Sequence, residues 1–181
     1  MNELPDHILE LFNTAIKELP YWEKIGDSVD QLIDIMVNYR QSGHTGGSRS
    51  KVHMLIATLL SGVMRWDIRN QAGRFNDRLI LVGGHTVPLV YATLAIFCEA
   101  MNSKYAETKN PRYLIPKDQS LIAQDLLGFR HRDGLPGHAE IFNKTLLLKF
   151  NTGPSGHGSS AAVGQALALK RAGVKDVKVF A

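Results

Sequence analysis

Leu79-Ile80-Leu81-Val82 is a continuous apolar run closed at once by Gly83-Gly84, and a helical pattern begins a few residues later at Val87. A strand without a polar side cannot turn one face to water, so it must be covered on both, the habit of parallel strands flanked by helices. The glycine pair lets the chain turn sharply from strand to helix. In open α/β sheets, ligands collect where such strands end. The expected fold is therefore α/β, with a parallel sheet flanked by helices on both faces. Val177-Lys178-Val179-Phe180-Ala181 supplies a second strand. Such a strand needs neighbours, so the sheet read from these residues is expected to be incomplete.

Ile8, Leu9, Phe12, Ala15, Ile16 and Leu19 recur at helical spacing, and Pro20 is the expected stop. A second helix is expected from the capping pair Asp27-Ser28 to Tyr39. Residues 1–26 are thus read as a helical extension and 27–181 as one α/β unit. A third helix, Ser50 to Trp66, is apolar on most faces and expected to pack on the sheet. Further helices are expected over Val87–Met101, Gln119–Leu127 and Ser159–Ala172, with loops at 67–77, 105–118 and 130–140.

Composition narrows the function. The single cysteine, Cys98, lies in an apolar run, which excludes a disulfide framework and points to a core position in a reducing cytoplasm. The N-terminus lacks the basic start and apolar block of a signal peptide, and no apolar stretch is read as long enough to span a membrane. A net charge of +4 raises nucleic acid as a partner. Yet the basic residues are scattered pairs, such as Arg65 with Arg69 and Arg74 with Arg78, rather than a stripe interleaved with aromatics. Neither nucleic acid nor membrane is expected.

Histidines recur in glycine contexts: Ser42-Gly43-His44-Thr45-Gly46, Gly83-Gly84-His85, Pro136-Gly137-His138-Ala139-Glu140 and Thr152-Gly153-Pro154-Ser155-Gly156-His157-Gly158. A residue without a side chain admits a ligand close to the backbone while the imidazole projects into the gap. The last turn feeds a helix N-terminus, where free amides and the helix dipole favour an anion or a polar ring. Neither G-x-G-x-x-G nor the P-loop spacing is present, and one cysteine with dispersed histidines lacks the ligand pairs of a zinc site. No G-x-S-x-G supports a serine hydrolase.

In their order and approximate spacing these segments resemble the N-terminal, diphosphate-binding half of the transketolases, from near Val29 to the end of the chain. Arg74-Phe75-Asn76-Asp77-Arg78-Leu79-Ile80-Leu81 is similar to the family's Asn-Arg-Asp-Arg-Phe strand, and Phe129-Arg130 precedes Pro136-Gly137-His138 as it does there. The resemblance implies a thiamine diphosphate-binding fold, with residues 27–181 forming the N-terminal part of that domain, and transfer of two-carbon ketol units between sugar phosphates. It implies that His44 and His138 face the substrate and help move protons, that His85 contacts the diphosphate, and that Gly153, Pro154, Ser155, Gly156 and His157 line the cofactor. Ser155 and His157 depart from the family's Leu and Gln. The Gly-Asp-Gly motif and later Asn that hold Mg2+ are expected beyond residue 181, so no metal ligand is assigned in this chain. The pyrimidine-binding domain, with its activating glutamate, is expected from the rest of a homodimeric enzyme or from a partner subunit. Two alternatives stay open: a pyruvate dehydrogenase-like component, toward which Gly84-His85-Thr86-Val87-Pro88 leans, and a non-catalytic module that keeps the fold.

Overall fold

The computed structural model describes residues 5–181; residues 1–4, the start of the expected helical extension, lie outside them. Over the described residues the chain is α/β, with two short parallel strands carried by five helices. The first helix, α1 (Asp6–Arg40), is one element rather than two. Helical spacing continues on both sides of Pro20, and the carbonyl that Pro20 leaves unbonded lies in the exposed half of the helix, where water can satisfy it. The half after Gly26 buries Val29, Ile33 and Met36 against the later helices. A left-handed Gln41 ends the helix, its amide bonded back to the last turn.

The expected third helix is divided. α2 (Thr45–Arg49) and α3 (Val52–Leu60) are separated at Ser50-Lys51, and α3 stops short of Trp66. Gly62 takes a left-handed φ of 79° there, while the Trp66 indole donates to the Leu59 carbonyl at 2.8 Å and closes the helix end. α3 buries Val52, Leu55, Ile56 and Leu59, and packs on α1. It is not flush with the strands: a groove of 250 Å³ lies between Met54, Leu55 and Thr58 on one side and Leu79 to Gly83 with Phe180 on the other.

β1 (Arg78–Leu79) pairs in parallel with β2 (Val179–Phe180), Arg78 opposite Val179 and Leu79 opposite Phe180. On its other side Leu79 bridges Leu148, so β1 is central. The apolar segment around Leu148 was not singled out as a strand neighbour from sequence. The ladder is shorter than the Leu79–Val82 run because the next carbonyls have other partners. Leu81 accepts from the Thr152 hydroxyl at 2.6 Å, and Val82 from the Gly158 amide at 3.2 Å. Asp77, buried just before β1, accepts the backbone amides of Arg65 and Lys178, both at 2.7 Å, and so ties the strand entry to the segment leading into β2.

α4 (Pro88–Thr108) runs a turn or more past the expected Met101, because its polar tail is helix-compatible, and ends at a left-handed Lys109. Gly84–Thr108 is long and apolar enough to cross a membrane by length and composition, contrary to the sequence reading. It is instead the core helix, with 72% of its apolar window buried inside the protein. Cys98 is buried as expected, and burial pushes its thiol above the ordinary value. Residues 123–128 form a tight 3-10 segment rather than an α-helix, where the Asp125 carboxylate accepts the Ile122 amide at 2.9 Å and the Lys144 amine at 2.6 Å. The last helix, α5 (His157–Arg171), buries Gly158 and Ala162, half-buries Ala161, Gln165 and Leu169, and exposes the rest.

Candidate active site

Three of the four glycine-histidine segments meet at the carboxyl end of β1. The His44 and His85 rings lie edge to face with centroids 4.9 Å apart. His138 reaches the same place from the 136–140 loop, its Cδ2 3.9 Å from where a methyl on Gly153 would project. His44 and His138 are exposed and His85 is half-buried, so two rings face the open side and one sits beneath.

Local contacts explain why these loops converge. Ser48, fully buried in α2, donates to the carbonyl of His44 at 3.0 Å and lies 3.3 Å from that of Thr86. Thr86 in turn donates to Gly83 at 2.8 Å, fixing the turn that presents His85. The Thr152 backbone crosses against Gly84 so closely that any side chain there would run into the Thr152 carbonyl. Thr152 also donates its amide to the Ala139 carbonyl at 2.9 Å, drawing the His138 loop onto the strand end. The buried Tyr91 holds that loop from below, its hydroxyl donating to Pro136 at 3.0 Å. The sequence alone assigns no role to Ser48, Thr86, Tyr91 or Thr152. Each is a hydroxyl inside or beside a recognised motif, the one available signal for them.

Partial burial moves the His85 imidazole below its ordinary value, and the nearby His44, Lys51 and His138 add to the shift. Near neutral pH His85 is therefore a neutral ring, able to donate one N–H while leaving its other nitrogen free to take a proton. Lys51 donates to the Gly47 carbonyl at 2.7 Å and adds fixed positive charge beside it. The site is thus rich in donors suited to anionic or hydroxylated ligands.

The fourth segment behaves differently. Pro154, Ser155, Gly156 and His157 are exposed, and the His157 ring packs edge to face on Phe150 at 5.7 Å, not on the other histidines. The amides expected to be free at the start of α5 are engaged. His157 donates to Pro154, Gly158 to Val82 and Ser159 to Gly156. Of the glycines in this turn, Gly153 borders the histidine cluster. Elsewhere, His53 packs its ring against Gly26 of α1, a structural contact. Among the described residues no group of three His, Cys, Asp or Glu side chains is placed to hold a metal ion.

No family model matches the chain. It is 33% identical over 130 residues to the 6-deoxy-6-sulfo-D-fructose transketolase subunit SqwG of Clostridium sp. (strain MSTE9), covering 71% of this chain and 38% of that protein. It is 31% identical over 167 residues to an apulose-4-phosphate transketolase subunit from Actinobacillus succinogenes, covering 91% of this chain and 51% of the relative. It is also 27% identical over 168 residues to the transketolase of Aquifex aeolicus, covering 90% of this chain and 21% of that one. The chain thus spans about half or less of the length of these relatives. With likeness of this kind running through most of its residues, the chain belongs to the transketolase family.

Proposed function

We propose that this chain is the diphosphate-binding portion of a thiamine diphosphate- and Mg2+-dependent transketolase that moves two-carbon ketol units between sugar phosphates. The observation that carries the reading is the meeting of His44, His85 and His138 at the end of β1 in a chain similar to transketolases. The transketolase relatives favour this reading over a pyruvate dehydrogenase-like component.

The donor set fits the cofactor in part. Neutral His85 and the Lys51 ammonium suit a diphosphate, and the exposed His44 and His138 suit sugar hydroxyls and a carbonyl. The engaged amides of α5 make the 153–157 turn a weaker diphosphate cradle than free amides would be, so charge compensation falls to the histidines, Lys51 and a divalent ion. When bound, thiamine diphosphate supplies the nucleophilic carbon that accepts the two-carbon unit. His85 would orient the diphosphate, while His44 and His138 would hold the substrate hydroxyls and pass protons at the reacting oxygen.

On this reading the metal ligands and the activating glutamate come from polypeptide outside these 181 residues. The chain works in the cytoplasm, as a homodimer or with a partner subunit. Two relatives are named as transketolase subunits, which favours the partner. Residues 1–26 would be a helical extension to a domain portion formed by 27–181.

Calorimetric titration of thiamine diphosphate with Mg2+ into the chain, alone and mixed with the second subunit of a split transketolase, tests this. Tight Mg2+-dependent binding and ketol transfer are expected only in the mixture. Tight binding by the chain alone, without transfer in either case, would favour the non-catalytic module.

A further inference from the structure

Arg130 has no role in the function above, yet its side chain joins two of the histidine loops. Its Nη1 donates to the Ser42 hydroxyl at 2.7 Å, two residues before His44. Its Nε lies 2.7 Å from where a methyl on Gly137 would project, one residue before His138. Its guanidinium stands over the Phe129 ring at 5.5 Å. The backbone is held as firmly. Arg130 takes a left-handed φ of 57°, its amide donates to Leu135 at 2.7 Å, and its carbonyl accepts Arg40 Nη2 at 3.1 Å from the end of α1. A residue other than glycine holds that conformation only where surrounding contacts over-determine it.

We propose that Arg130 is a positioning residue that sets the separation of His44 and His138, the two rings read as facing the substrate. The planar fork is essential to this. One edge bonds the Ser42 hydroxyl while the flat face rests on Phe129 and the Nε edge closes on Gly137, an arrangement a lysine ammonium cannot reproduce. Tyr91 supports the Pro136–His138 loop from the core, and Arg130 fixes it from the outer side against the loop carrying His44. The clamp rests on the transketolase reading for its purpose but not for its existence.

The test reads imidazoles rather than turnover. In the full chain, the side-chain NMR signals of His44 and His138 are followed at one fixed pH in Arg130→Lys and Ser42→Ala, with His53, whose ring packs against Gly26 of α1, as the internal reference. Arg130→Lys keeps the charge, so a change in His44 and His138 reports geometry and not a lost field. Both variants are expected to shift these two rings and leave His53 in place, and the double variant is expected to add nothing to Arg130→Lys. Unchanged His44 and His138 signals in Arg130→Lys overturn the proposal, as do effects of the two variants that simply add. Should Arg130→Lys disturb His53 as well, Ser42→Ala alone decides: a shift of His138 through the loss of one hydroxyl supports the clamp, and no shift overturns it. Because no cofactor enters the experiment, failure of the thiamine diphosphate reading would leave this result standing.

Discussion

The Gly83-Gly84-His85 turn and the Gly153-to-His157 turn share a pattern in sequence but not a fate in space. In the first, the backbone is packed in on both sides. Thr86 closes onto Gly83, the Thr152 backbone fills the space beside Gly84, and the ring is half-buried against His44. In the second, Gly156 turns the chain at φ 87° with nothing near its Cα to meet a side chain, and His157 leans on Phe150 in the open. Glycine marks both, for different reasons. At Gly84 there is no room for a side chain; at Gly156 there is room, but the backbone angle disfavours one. A glycine filled by neighbouring backbone identifies a locked site, whereas one in open space identifies only a turn.

Substitution should separate the two turns most sharply. Gly84→Ala is expected to cost about 3 kcal/mol or more, since the methyl must displace main chain. Gly156→Ala, paying only for its left-handed backbone, should cost about 1 kcal/mol. Chemical denaturation of the two variants measures both, and equal losses would erase the distinction.

In the reconstituted enzyme, His138→Ala should lower turnover on the order of a hundredfold, the scale for a positioned acid or base. His157→Ala should leave turnover within about threefold, because loss of an exposed ring outside the cluster removes no proton-transfer partner. A comparable loss in both would place His157 in the chemistry after all.

The smallest effect is one of pH. His85 binds its proton less readily in the folded chain than in the unfolded one, so its contribution to stability is full above the ordinary imidazole value of 6.5 and is lost as pH falls below it. The wild-type chain should therefore lose stability on acidification from pH 6.5, and His85→Gln should flatten that slope. Thermal melts across that range decide it, and a slope unchanged by His85→Gln would remove the electrostatic half of the comparison.

Much of this was legible beforehand. The buried strand announced itself through four apolar residues and a glycine pair, and Leu79 is indeed central to the sheet. The approximate course of α4 and α5 followed from periodicity and from Gly173. Other elements were misread where local signals compete with packing. Pro20 does not end α1, Gly62 was passed over as the stop of α3, and the run after Leu79 leaves the ladder because its carbonyls are claimed by Thr152 and Gly158. Periodicity reports which side of an element is apolar. It does not report where a particular carbonyl finds its donor.

The sequence by itself determined the order of strand, turn and helix, the apolar faces, and the motifs that place the chain among the transketolases. Only the tertiary structure decided which histidines meet. That decision is made by hydrogen bonds from Thr152 to Leu81, 71 residues apart, and from Arg130 to Ser42, 88 residues apart, together with a backbone crossing at Gly84. Contacts at such separations leave no periodic trace in the chain, because each depends on loop directions fixed by the packing of the whole core.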